Sequence, residues 1–337
     1  MRPLLYTTFF LLLTSCVCFG QDMHFSQFQY SPLNLNASNT GRFNGDHRFA
    51  ASHRNQWSAV SQPYQTFTIS YDRPVKLSGN AFPHHHAGIV INSDKAGDGD
   101  FGTLQALLSY SYLIAIGKDS LHFLSAGVQA GIVQRSVNFS SLTFDSQFDG
   151  DVFNPSGFSG ESPSQNSFAY ADVNVGLNWS SLFDSGVLEG GISLQHINKP
   201  NQTFYDGDKL PLPMRWQINL SPVFKAGESV TLLPAVLFMQ QSKFSELMGG
   251  LEAKLNLKKT STRKLAFGLG AYARLKDALI PAVALYYNNL RVGLSYDINT
   301  SALTRASNGR GGTEISAQYI LKKIRTKLNR NVCCPVY

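Results

Sequence analysis

Beyond its first twenty positions this 337-residue chain nowhere offers the ~20 unbroken apolar residues that a membrane-crossing helix requires. Its best candidate, 230–239, is short and contains Pro234. Cysteine is equally scarce. Cys16 and Cys18 lie near the N-terminus, and Cys333 and Cys334 are adjacent in the tail. That leaves no disulfide framework and no CxxC pair for zinc, and neighbouring cysteines rarely bridge because the geometry is strained. No GxSxG elbow occurs, and Ser, His and Asp fall in no recognisable catalytic order. Gly268 and Gly270 precede no helix that would receive a phosphate, and the NGRGG run at 308–312 reads as a flexible loop. Helical membrane proteins, disulfide scaffolds, zinc folds, nucleotide sites and serine hydrolases are set aside together. A calcium-dependent phospholipase barrel would lack its Ser–His pair. No enzyme is expected.

What is present begins with an export signal. Arg2 supplies a positive start, 4–13 (LLYTTFFLLL) an apolar run, and Ser15 and Gly20 the small residues of a cleavage site. Cleavage after Gly20 would make 1–20 a signal peptide. In the competing reading, Leu13-Thr14-Ser15-Cys16 is a lipobox with Cys16 lipidated.

The mature chain alternates. In 290–298, Leu290, Val292, Leu294, Tyr296 and Ile298 oppose Arg291, Gly293, Ser295 and Asp297, the period-two pattern of a strand with one apolar and one polar face. The same pattern marks 172–179, 251–257 and 265–274. Charged residues at 15% and aromatics at 12% coexist with a mean hydropathy of -0.12, as alternation produces. Strand candidates fall at 47–58, 64–75, 84–91, 102–116, 121–137, 168–180, 186–197, 213–224, 229–240, 245–257, 264–274, 279–287, 290–298 and 314–321. A β-sandwich would alternate too, but this number of strands in an exported chain favours a closed barrel, since lipid forbids open sheet edges. The fold class is therefore all-β, a transmembrane outer-membrane barrel of about 14 antiparallel strands. Long connections at 140–167, 198–212 and 299–313 alternate with short ones, which puts both termini on the periplasmic side. Residues 21–46, rich in Asn and aromatics and interrupted by Pro32, form an irregular lead-in that the lumen could hold. The barrel then spans 47–321 and a basic tail 322–337.

Three constellations invite a chemical reading. His84-His85-His86 suggests a metal, but adjacent strand residues face opposite ways, and exposed turn histidines are the plain alternative. Asp94, Asp98 and Asp100, and Asp145, Asp149 and Asp151, could offer oxygens to calcium in outer loops, yet neither run completes an EF-hand, and Asp and Gly also make ordinary turns. The expectation is no cofactor. The formal charge of +7 loses one with Arg2, and much of the excess lies in the tail. An exported chain is an unlikely binder of nucleic acid, so that excess reads as a local contact patch or a solvated end.

Pieces spread end to end then carry a resemblance: QDMHFSQFQYSPLNLNASNTG at 21–41, HRNQW at 53–57, GLNWSSLF at 176–183, HINKPNQTF and LPMRW between 196 and 216, and YYNNLRVGLSYDINTSALTRASNGRGGTEISAQYI at 286–320. In this order they resemble the PorP/SprF family of outer-membrane proteins, associated with type IX secretion and gliding motility in Bacteroidota. Met23 stands where family openings often have Pro, and the doubled Cys333-Cys334 is unusual. The resemblance implies a barrel that supports secretion or surface anchoring of a large adhesin with a type B C-terminal domain. In some members a periplasmic peptidoglycan-binding lipoprotein is a partner. It implies no catalytic residues. Candidate partner contacts are Asn299, Ser301, Arg305, Asn308 and Arg310 in the last outer loop. Inside the periplasm they are Lys322, Lys323, Arg325, Lys327 and Arg330. The alternative is an outer-membrane channel or ligand transporter.

Overall fold

Alternation becomes geometry in the computed structural model, which describes residues 22–322 apart from 59–61, 77–83, 118, 120, 155, 260–263 and 303. The expected signal peptide, lipobox and doubled cysteines lie outside the described residues. So do Lys323, Arg325, Lys327 and Arg330.

Neighbouring strands pair antiparallel in chain order: β1 (His47–Gln56), β2 (Tyr64–Val75), β3 (His85–Ala96), β4 (Phe101–Ile116), β5 (His122–Ser136), β6 (Ser167–Phe183) and β7 (Gly186–Gln195). The second half continues with β8 (Arg215–Leu220), β9 (Val223–Ala226), β10 (Val230–Gln241), β11 (Phe244–Lys259), β12 (Lys264–Arg274), β13 (Ala278–Tyr287), β14 (Leu290–Asn299) and β15 (Arg310–Leu321). β15 returns to β1, with His47 opposite Leu321 and Gln56 opposite Gly312, so the sheet has no edge. β8 and β9 both pair with β7 on one side and β10 on the other, so they are two halves of one barrel strand. The wall is a closed antiparallel barrel of 14 strands. Closure is what lipid demands, because every backbone N–H and C=O in the wall must find a partner there.

Three departures from the periodic reading have a physical reason. Ser221 and Pro222 interrupt the strand expected at 213–224: Pro222 has no N–H to give the ladder, and the Ser221 amide donates to the Glu189 carbonyl (2.8 Å). β3 runs on to Ala96, past the expected end at 91, because its polar residues keep alternating. β15 starts at Arg310, shortening the last loop to 300–309: Arg310 pairs with Ile298 and Gly312 with Asp297 and Gln56, and the ladder absorbs Gly311 between them as an irregularity.

The faces sort as alternation requires. Leu290, Leu294, Tyr296 and Ile298 point outward from β14, while Gly293, Ser295 and Asp297 are buried inside. Leu108 and Ile132 are 67% and 64% exposed, values that water would penalise and hydrocarbon rewards. Long connections (137–166, 196–214, 300–309) gather at one end, and short ones (184–185, 227–229, 288–289) at the other. The barrel starts and finishes at the short-turn end, where the Asp46 amide donates to the Leu321 carbonyl (2.8 Å).

Inside runs the lead-in. Between Asp22 and Asp46 only Asn44 is exposed. The segment makes three short helical turns, Phe28–Tyr30, Pro32–Leu35 and Ala37–Asn39, and its bonds go mainly to inward-facing wall residues. Phe28 and Leu35 pack on Leu237, Met239, Met248, Tyr272 and Ile280, a dry sector of the wall, and Leu33 joins Val90 and Leu107 in a smaller one.

Candidate functional site

The lumen brings residues far apart in sequence into one charged network, tied at both ends of the barrel. At the long-loop end the His196 ring lies between two carboxylates, with Nδ1 2.8 Å from Asp172 on β6 and Nε2 2.8 Å from Asp22 of the lead-in. His196 is the first residue past β7 and has a left-handed φ of 57°, a conformation that costs a side-chain-bearing residue energy. The Asn174 side chain accepts from its backbone amide (3.0 Å), and the two carboxylates hold its ring, so the site overrides that cost. Burial alone would push the imidazole pKa down; the bonds to Asp172 and Asp22 outweigh it and push it up to about 9. Burial likewise raises Asp22, but His196, Arg215 and Arg135 hold its carboxyl well below the usual carboxylate range. With both nitrogens donating, the ring is a cationic strut and has no lone pair left for general-base work.

Beside it, Arg54 is 1% exposed and donates to the His24 carbonyl and to Asp297, both at 2.7 Å. Arg274 shares Asp297 (3.1 Å) and donates to the Ser26 hydroxyl (2.7 Å), whose own hydrogen reaches Asp297 (2.8 Å). Glu314 accepts the backbone amides of Ser26 (2.7 Å) and Gln27 (2.9 Å). Burial holds the His24 pKa well below the usual imidazole range, and Arg54, Arg274 and Arg215 lower it further.

At the short-turn end, Arg48 clasps Asp72 with two bonds (2.9 and 2.7 Å) and also donates to the Asn39 carbonyl (2.8 Å). Asp72 takes the Gly41 amide as well (2.6 Å), and Arg42 pairs with Glu189 (3.2 Å). Midway, the Arg291 guanidinium lies 3.9 Å from the centre of the Tyr30 ring and 3.0 Å from Glu252. Glycine lets the wall approach the segment: a side chain added at Gly127 would sit 2.4 Å from the Ala37 and Ser38 backbone, and one at Gly176 would strike Asn36. Two cavities flank Asp22 and Arg215, of about 480 and 250 Å³ counted with adjoining solvent.

At the long-loop end, Phe204 from the β7–β8 connection lies edge-on to Phe101 at the start of β4, Phe139 in the β5–β6 connection and Phe168 at the start of β6, forming one aromatic cap. The Ser164 amide donates to the Phe204 carbonyl (2.9 Å), and the Tyr205 hydroxyl donates to Glu161.

The expected contact residues divide. On the 300–309 loop Arg305 and Asn308 are exposed and Ser301 is half-buried, and Arg310, the first residue of β15, is exposed beside them. Asn299 is buried and spends its amide on Ser307 (3.0 Å) and the Arg310 carbonyl (3.3 Å), so it shapes the loop from below. Lys322 is exposed at the opposite end of the barrel. The histidine run corrects the reading as exposed turn residues. His86 points inward and is buried beside Gly41 and Ser111, His85 meets the Tyr110 hydroxyl (2.6 Å), and His84 bonds the Leu113 carbonyl (2.8 Å). Asp94 accepts from Thr66 (2.5 Å), while Asp149 folds its own turn through the amides of Asp151 and Val152. Asp98, Asp100, Asp145 and Asp151 are exposed. Among the described residues no group of three or more His, Cys, Asp or Glu is placed to hold a metal ion.

Sequence reasoning missed the ion network, although a signal existed: Asp22, Arg54, His196, Arg215, Asp297 and Glu314 all lie in the family-like pieces. Those pieces meet in space around the lead-in.

No curated protein matches. Among solved structures the chain is similar to the Pseudomonas putida toluene transporter TodX (12% identity, 86% of this chain and 92% of that one, TM-score 0.46). It is also similar to a Pseudomonas aeruginosa FadL homologue (9% identity, 84% and 98%, TM-score 0.42). The model of the type IX secretion system membrane protein PorP/SprF matches residues 17–319. The chain therefore belongs to the PorP/SprF family of type IX secretion system membrane proteins, and it crosses the outer membrane as a multi-pass β-barrel.

Proposed function

We propose that this barrel is a non-enzymatic accessory of type IX secretion that anchors a large adhesin with a type B C-terminal domain, or supports its export, and does not conduct it. The observation that carries the proposal is the occupied lumen. Residues 22–46 are bonded to charged wall groups at both ends: Asp22 pairs with His196 and the Ser26 amide donates to Glu314 at one, Arg42 pairs with Glu189 and the Gly41 amide donates to Asp72 at the other, and breaking buried pairs of this kind is costly. A folded or extended substrate would have to displace that segment. The long-loop end then serves as the contact face for the secreted partner. The short-turn end, with the basic tail, faces other components of the machinery and a periplasmic peptidoglycan-binding lipoprotein. Deleting the gene should remove the adhesin from the cell surface; normal secreted and surface amounts would sink the idea.

A second reading is an outer-membrane channel or ligand carrier, favoured by the polar wall and by the two cavities beside Asp22. Planar bilayers separate the two. Silence of the intact protein supports the accessory, and steady conductance the channel.

A further inference from the structure

We propose that the β5–β6 connection, residues 137–166, is a docking surface for a cationic, apolar segment of the secreted protein; this rests on the accessory role above. Its charged residues are Asp145, Asp149, Asp151 and Glu161, with no Lys or Arg among them. Interleaved with these carboxylates are exposed apolar side chains: Phe148, Val152, Phe153 and Phe158, the last 79% exposed. Such a patch on a surface loop marks an interaction site more often than an accident of packing.

The loop holds its shape. Phe148 and Phe153 face each other in a β-bridge, the Asn154 amide donates to the Gln147 carbonyl (2.9 Å), and the Gln147 side chain donates to the Gly157 carbonyl (3.2 Å). Its base rests on the Phe204 cluster. A partner therefore meets an ordered surface and loses less entropy on binding than a mobile loop would impose. The occupant follows from charge. Four carboxylates without a local cation attract Lys or Arg and repel an acidic face, while the phenylalanines ask for apolar side chains between those cations. Lipid is the competing occupant of exposed phenylalanine, but Asp149 and Asp151 flank the same side chains and resist the acyl boundary. Another copy of this chain could offer Lys243 and Lys276 from its own outer turns.

The test uses the full chain in nanodiscs holding one barrel each, which excludes the second copy. The probe is a labelled twelve-residue peptide of alternating lysine and leucine, with a glutamate–leucine peptide as control. Saturable, salt-weakened binding of the first peptide is expected. It should fall at least 10-fold in F153S/F158S and in D145N/D149N/D151N, both of which should keep the heat-modifiable migration of a folded barrel. Equal binding by all three proteins, or equal binding of the two peptides, overturns the proposal. Quenching of a Phe158→Trp variant by lipids brominated in their tails also overturns it, placing the loop in the membrane. In cells, adhesin display lost on gene deletion but intact in both loop variants removes the docking surface and keeps the accessory role. Normal display in the deletion strain removes both.

Discussion

Two segments of this chain have nearly the same vocabulary and opposite fates. Residues 22–46 and 137–166 are both rich in Phe, Ser and Asn, and both make only isolated helical turns. The first is buried almost throughout; the second exposes most of its residues, phenylalanines included. Composition does not separate them. Partners do. The lead-in meets a wall whose inward faces carry Arg48, Arg54, Asp72, Asp297 and Glu314, so much of its backbone leaves water for a charged partner. The 137–166 loop bonds mainly itself and the neighbouring connections, through Gly99, Phe204 and Tyr205, and its carboxylates are exposed. Burial here is a property of what the barrel presents, more than of the segment that fills it.

The sharpest way to break the contrast is to remove the filling. Deleting residues 22–41 takes Asp22 from His196 and the bonded backbone groups from Arg54, Arg215 and Glu314, and water must enter to solvate them. The barrel should lose on the order of 5 kcal/mol or more of stability, since unpairing one buried ion alone costs about 3–5 kcal/mol. A silent protein should also become conducting in planar bilayers. Conductance indistinguishable from that of the intact chain would mean that the segment does not close the lumen.

A smaller intervention tests contact without removing charge. Gly127→Val drives a side chain into the Ala37 and Ser38 backbone, and overpacking of this sort costs about 2–3 kcal/mol. The lowered urea midpoint should be accompanied by faster proteolysis of the lead-in.

His196 gives the contrast a pH axis. Its folded pKa of about 9 lies above the ordinary 6.5. Its contribution is therefore complete below about pH 6.5 and is lost as pH rises through about 9. The intact protein should lose roughly 2–3 kcal/mol across that window, given about 1.4 kcal/mol per pKa unit. His196→Gln should flatten the profile, and a variant with the same pH slope as the parent would show that the strut is not what titrates.

How much of this was legible in the sequence follows from range. The strands, their faces and the long-loop end rest on alternation between neighbours, and 290–298 announces Asp297 as inward-facing before any partner is known. What Asp297 meets is another matter. It binds Ser26 across 271 positions, and Asp22 reaches His196 across 174. No periodicity spans such distances. The lead-in looked like a loop because Asn, Ser and Pro are loop residues when water is their partner; here the wall replaces water. His86 misled for a related reason, since its neighbours face other ways and only the register places it under Gly41.

The least disruptive change tests the exposed half of the contrast. Phe158→Ser removes a large apolar side chain, and in the lead-in the loss of a buried phenylalanine such as Phe28 to Ala would cost about 3–5 kcal/mol. On the outer loop Phe158 is 79% exposed, so no burial is forfeited and no cavity opens. The urea midpoint should move by less than about 0.5 kcal/mol equivalent. A shift several times larger would mean that Phe158 packs against the cap or lipid in the folded state, and the loop would then belong with the lead-in as structure. An unchanged midpoint leaves the phenylalanine without a role in stability, which is the condition for assigning it to recognition.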